Sequence, residues 1–190
     1  MVDLSTRVAG IELKNPVITA SGTFGYGEEF SELINLDLLG GFVVKGLSAQ
    51  PMKGAPPPRL HETASGMLNA IGLQNVGVRR FVSEKLPRLQ KYNTRIFANV
   101  FGSSTEEYVE VVHGLNDSEG LSGYEINISC PNVKKGGIVY GTDPIATHEV
   151  VRAIKQIARL PVIVKLSPNV TDITVIARAA EEAGADALSL

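Results

Sequence analysis

From Arg95 onward the chain alternates short apolar runs with amphipathic ones, and that rhythm restricts the fold more than any other feature. RIFANV, YEINIS, PVIVKLSP and ADALSL have the near-continuous apolar character of strands buried on both faces. Between them lie segments with helical spacing and recognisable ends: one capped by Ser104 or Thr105 ahead of Glu106 and Glu107, one capped by Asp143, and one closed by Gly184. Strands and helices in such alternation build a parallel sheet covered on both faces by right-handed crossovers. An open doubly wound sheet and a closed (β/α)8 barrel both satisfy the pattern.

The first half of the chain supplies more strands and longer loops. Residues 8–13 read as a hairpin arm, and PVITASG reads as a strand ending in Ala20, Ser21 and Gly22, small residues that let a ligand approach the backbone. GTFGYGEEF is a glycine-punctuated loop leading into an expected helix over residues 28–36, and GGFVVKGLS is a second strand. Residues 49–75 are rich in Pro and Gly and too long for an idle connection, so they are expected to bind or cover something. Residues 78–92 have helical spacing.

Composition narrows the function classes. A chain of 190 residues with a net charge of −2 has no basic footprint for nucleic acid. Its single cysteine, Cys130, excludes an internal disulfide framework and an iron–sulfur cluster held by this chain alone, and points to a reducing compartment. No run is long and apolar enough to be a membrane span, and MVDLSTRVAG lacks the layout of a secretory leader. A cytoplasmic location with no membrane association is expected. His61, His113 and His148 lack metal-ligand spacing, so no metal is expected. Gly22, Gly25 and Gly27 have the wrong spacing for a dinucleotide fingerprint.

Parallel α/β folds bind ligands at the C-terminal ends of their strands, and the out-of-character residues fall there: Ser21, Lys45, Asn99, Asn127, Cys130 and Lys165. Lys45 follows FVV and Lys165 follows VIV, with no obvious carboxylate at a matching strand end. A lysine in such a place either extends to solvent or meets a bound anion or electron-rich ring. The asparagine amides suit a planar heterocycle. In YEINISCPN, Ile126 and Ile128 alternate with Glu125, Asn127 and Ser129, and Pro131 stops the strand, leaving Cys130 at a strand end. A thiol there is either a small buried hydrophobe or a reactive group.

Taken together, NPVITASG, VVKGLS, NAIGLQN, ANVFGSS, INISCPN and VKLSPN, in this order across nearly the whole chain, resemble class 1 dihydroorotate dehydrogenases. The resemblance implies a (β/α)8 TIM barrel, of which residues 1–190 form a single domain with about six of the eight strands. It implies FMN at the mouth and oxidation of dihydroorotate to orotate in pyrimidine biosynthesis. It assigns Cys130 as catalytic base. Ala20, Ser21, Gly22, Lys45, Gly46, Asn99, Asn127 and Lys165 would contact the flavin. Lys45, Asn69, Ala70, Ile71, Gly72, Leu73, Asn127 and Asn132 would contact substrate, with the loop around Gly136 and Gly137 as a lid.

The GTFGYGEEF and APPPRLHETASGMLNAIGLQN segments are most similar to the class 1B branch, whose catalytic subunit pairs with a subunit carrying FAD and a 2Fe-2S cluster, two of each in a heterotetramer, and passes electrons to NAD. The alternatives are a class 1A enzyme using fumarate, the similar barrel of dihydropyrimidine dehydrogenase, and a noncatalytic barrel fragment. Because ALSL ends the sequence within a strand, and barrels of this kind commonly seat phosphate after their seventh and eighth strands, these residues are expected to be a C-terminally incomplete piece that does not hold FMN tightly alone.

Overall fold

The computed structural model describes residues 2–129 and 137–190. It opens with an antiparallel hairpin of β1 (Thr6–Val8) and β2 (Ile11–Leu13), Thr6 opposite Leu13. Six parallel strands follow: β3 (Ile18–Thr19), β4 (Gly41–Val43), β7 (Arg95–Val100), β8 (Gly123–Asn127), β9 (Val162–Lys165) and β10 (Ala187–Ser189). β5 (Leu60–Thr63) and β6 (Gly66–Asn69) form a separate exposed hairpin between β4 and β7.

The order in which the parallel strands pair decides between the two architectures. Each strand lies beside the one before it, from β3 through β4, β7, β8 and β9 to β10, with no reversal. A doubly wound sheet reverses at a switch point, whereas a barrel winds one way, so this is barrel winding. The sheet curls around an inner apolar layer to which Leu13, Val43, Phe97 and Ile163 contribute, with Ile18 and Ala187 packed on it. Leu13 brings the β1–β2 hairpin across the N-terminal end of this layer.

The helices cover the outer face. In α3 (Thr105–Leu115) the buried Tyr108, Val111, Val112 and Leu115 recur at helical spacing, and each full burial is worth roughly 1.5–3 kcal/mol. Ser104 caps it by accepting the Glu107 N–H at 3.4 Å. Asp143 caps α5 (Pro144–Ile157) through the Ile145 N–H at 2.8 Å. α6 (Ile173–Glu182) ends with Gly184 at φ 97° and paired bonds from Ala185 N–H to Ala180 and from Gly184 N–H to Glu181, the Schellman pattern.

Two expectations from sequence are corrected. Residues 28–36 do not form one helix but part of two 3-10 turns, Glu28–Phe30 and Leu36–Leu38, because the Asn35 side chain accepts the Asp37 N–H at 3.0 Å and diverts the backbone. The helix expected over residues 78–92 is α1 (Gly77–Arg80), a π-helical stretch Phe81–Lys85 and α2 (Leu86–Leu89). Pro87 explains the widening, since it has no N–H and its ring would crowd the carbonyl one turn back. Residues 49–75 contain the β5–β6 hairpin. A further helix, α4 (Gly137–Thr142), begins at Gly137, and the rest of the lid loop that the resemblance implies lies outside the described residues. Cys130, Asn132 and Gly136 lie outside the described residues.

Candidate functional site

The C-terminal ends of β3, β4, β7 and β8 open onto a cleft of about 510 Å³. Strand ends supply Ser21, Gly22, Lys45, Gly46, Asn99 and Asn127 to its wall, and the segment after β6 supplies Asn69, Ala70, Ile71, Gly72 and Leu73. Ala20 adjoins Ser21 without lining the cleft. Lys165 is also not part of this wall, but it stands beside Asn127 as its register partner across β8 and β9.

Lys45 reaches the cleft through a break in the sheet. Val44 donates to the Phe97 carbonyl at 2.9 Å, but the next bond to β7, to the Asn99 carbonyl at 2.9 Å, comes from Leu47 rather than Gly46. One extra residue is therefore inserted, a bulge that re-aims the side chain at Lys45, whose own N–H turns to the Gly25 carbonyl at 2.6 Å. At Gly46 a β-carbon would lie 2.9 Å from Asn99 Oδ1 and 3.0 Å from a Phe101 ring carbon, so only glycine fits without displacement.

Asn75 and Arg59 hold the covering loop. Asn75 Oδ1 accepts the Gly77 N–H at 2.8 Å and its Nδ2 donates to the Leu73 carbonyl at 2.9 Å. Arg59 donates to the Ala55 carbonyl at 2.6 Å, to Gln74 at 2.5 Å and to the Lys53 carbonyl at 3.0 Å. Leu73 adopts a left-handed φ of 57°, uncommon for leucine and characteristic of segments held by their surroundings at ligand sites. The Tyr26 hydroxyl accepts the Val76 N–H at 3.0 Å, joining the glycine-rich loop after β3 to this segment.

The polar atoms at the mouth are only partly satisfied. Asn127 Oδ1 accepts the Ser129 N–H at 3.1 Å and the Ser129 hydroxyl at 2.7 Å, which leaves its Nδ2 as a donor. Among the described residues only Thr19 Oγ1 and Asn99 Oδ1 are buried side-chain polar atoms without a partner, and both sit at the ends of parallel strands. Neither Lys45 nor Lys165 has an ion pair among the described residues. Donors, acceptors and the Lys45 ammonium at one mouth, with Lys165 on the adjoining strand end, fit the ring of a flavin.

Sequence reasoning missed four participants. Ala55, Gln74 and Phe101 also line the cleft. Behind it lies Glu125, 6% exposed, which qualifies the expectation of no carboxylate near the lysines: it sits on the inner face of β8, one layer below the strand tips. Its alternation with Ile126 was a visible signal of a shared polar face. Among the described residues no group of three or more His, Cys, Asp or Glu gathers, and no helix is long and apolar enough to cross a membrane.

A one-way-wound sheet of six parallel strands with a polar, partly unsatisfied cleft at its C-terminal mouth defines part of a (β/α) barrel with its ligand site at the usual end. The dihydroorotate dehydrogenase family model matches residues 3–190, and the chain belongs to that family. It is 61% identical over 187 residues to a putative dihydroorotate dehydrogenase A (fumarate) of Solibacter usitatus. It is 57% identical over 188 residues to a dihydroorotate dehydrogenase B (NAD(+)) catalytic subunit of a Geobacter species. These matches cover 98% and 99% of this chain, which spans about 62% of the length of each relative. A crystal structure of DHODH in complex with ferulenol from Eimeria tenella superposes with a TM-score of 0.74 at 20% identity, over 98% of this chain and 58% of that one, and shows the shared fold.

Proposed function

We propose that this chain carries the FMN and substrate site of an enzyme that oxidises dihydroorotate to orotate in pyrimidine biosynthesis. The observation that carries the reading is the convergence of Lys45, Gly46, residues 69–73, Asn99 and Asn127 on one cleft at the strand ends. FMN, when bound, supplies the acceptor for the hydride that leaves C6 of the substrate. Cys130 takes the C5 proton, and the C5–C6 double bond forms. A cysteine with an ordinary pKa of about 8.5 suits that task once its surroundings favour the thiolate. Lys45 and Lys165 stabilise negative charge at the mouth, Asn127 offers a donor, and residues 69–73 with Asn132 hold and cover the substrate.

The chain's resemblance to class 1B catalytic subunits, and the relatives named for NAD, support an electron route to NAD. A 2Fe-2S cluster normally takes four thiolates and this chain has one cysteine, which supports a cluster held by a partner subunit; the class 1B resemblance adds FAD to that partner and two of each subunit in a heterotetramer. A cytoplasmic location goes with that reading. Fumarate as acceptor is the second reading, favoured by the name of the Solibacter relative.

The test is the visible spectrum of the purified native protein and its bleaching by dihydroorotate without oxygen. Flavin absorbance that bleaches supports the proposal, while a colourless protein that takes up no FMN overturns it. Adding NAD or fumarate to the reduced protein, with and without a co-purifying iron–sulfur partner, separates the two acceptors.

A further inference from the structure

Glu125 is the one charged residue that is buried among the described residues, and its carboxylate oxygens are engaged one from β7 and one from β10. Its register partner Asn99 donates from Nδ2 to Oε2 at 2.6 Å, and Ser189 reaches across β9 to donate to Oε1 at 3.0 Å. It is the NH2 end of the amide that faces the ionised carboxylate, because the reverse orientation would set two acceptors against each other. The Asn99 amide is thereby locked. Its other end, Oδ1, is buried and unpartnered, and it lies against Gly46, the residue whose missing side chain keeps that space open. An unpaired buried acceptor is destabilising, and a ligand N–H relieves it.

We propose that Glu125 is a positioning residue that holds the Asn99 amide with Oδ1 toward the ligand, so that the cleft selects a planar ring presenting an N–H donor at that point. The inference rests on the flavin reading and sharpens it, since the pyrimidine edge of a flavin carries one imide N–H, at N3, between two carbonyls. Asn99 supplies the acceptor and Asn127, through Nδ2, supplies a donor, a pair that discriminates ring edges by hydrogen-bond pattern. Glu125 touches neither ligand nor reacting atoms.

The experiment compares FMN with N3-methyl-FMN on the native protein and on Glu125→Gln. Glutamine keeps the shape but offers either a donor or an acceptor, so Asn99 loses its fixed orientation. Native protein is expected to favour FMN over the methylated flavin by about tenfold or more, the usual cost of leaving one buried acceptor unpaired. In Glu125→Gln that preference falls toward unity with the melting temperature little changed. A native preference near unity, or an unchanged preference in the variant, overturns the proposal. The Asn99 side-chain amide signal in NMR gives a second readout without flavin. It is expected to be shifted and slow to exchange in the native protein, also serving if the variant does not fold, and the opposite result overturns the positioning role. Native protein that binds neither flavin sinks the flavin reading instead, and the amide signal then decides the role of Glu125 by itself.

Discussion

The Tyr108 hydroxyl donates to the Asn127 carbonyl at 2.8 Å, tying helix α3 to the end of strand β8 where that strand meets the cleft. Tyr108 is fully buried, so the bond has no ready substitute in solvent. Tyr108→Phe keeps the ring and leaves the carbonyl without this donor, and the expected loss is about 1–3 kcal/mol in urea unfolding. A variant as stable as the parent would show that the strand end is held by other means.

Gly46→Ala tests the bulge beside Lys45. The added carbon would sit 2.9 Å from Asn99 Oδ1 and 3.0 Å from the Phe101 ring, so Asn99 or Phe101 must move. Overpacking of this kind costs typically about 1–3 kcal/mol. Flavin retention after gel filtration is expected to drop along with the melting temperature; full retention would mean that the close approach at residue 46 is dispensable.

In a full-length version of the protein, Cys130→Ala is expected to leave flavin binding nearly intact and slow flavin reduction by dihydroorotate roughly 10²-fold or more, the usual contribution of a general base. Stopped-flow bleaching measures it. An unchanged rate would return Cys130 to the role of a small buried hydrophobe.

Burial pushes the Tyr124 phenol up to about 12, with Arg159 opposing and Asp117 adding to the shift. Its ordinary value is 10.0, so the unfolded chain ionises first. The stability that comes from keeping Tyr124 protonated is present below pH 10 and is lost as pH rises toward 12. Against Tyr124→Phe, the parent is expected to lose roughly 2–3 kcal/mol more over that interval, at about 1.4 kcal/mol per unit. Parallel stability curves for the two proteins between pH 10 and pH 12 would contradict this assignment.

Much of the framework was legible because it depends on local chemistry. The caps at Ser104 and Asp143 and the close at Gly184 are short-range hydrogen-bonding devices that a few residues specify. The gathering of Lys45, Asn99 and Asn127 at one mouth follows from strand ends in a parallel sheet. What the residues alone left open is relational. Apolar periodicity says that strands are buried but not which strand lies beside which, so sheet and barrel stayed equal until pairing order separated them. The bulge at Lys45 depends on Gly25 offering a carbonyl from another loop, and Glu125 is polar in pattern yet buried because Asn99 and Ser189 surround it. Residues 78–92 keep helical spacing through Pro87, and a widened turn does not show in that spacing.

The strictly sequential pairing of β3 through β10 also sets a timetable. During synthesis at roughly 5–20 residues per second, each parallel strand from β4 to β10 emerges beside a neighbour that has already left the ribosome. The curled sheet can therefore grow from one side like a stave added to a cask, with the Leu13 hairpin made before the first stave, so that nascent apolar surface is covered in the order in which it appears.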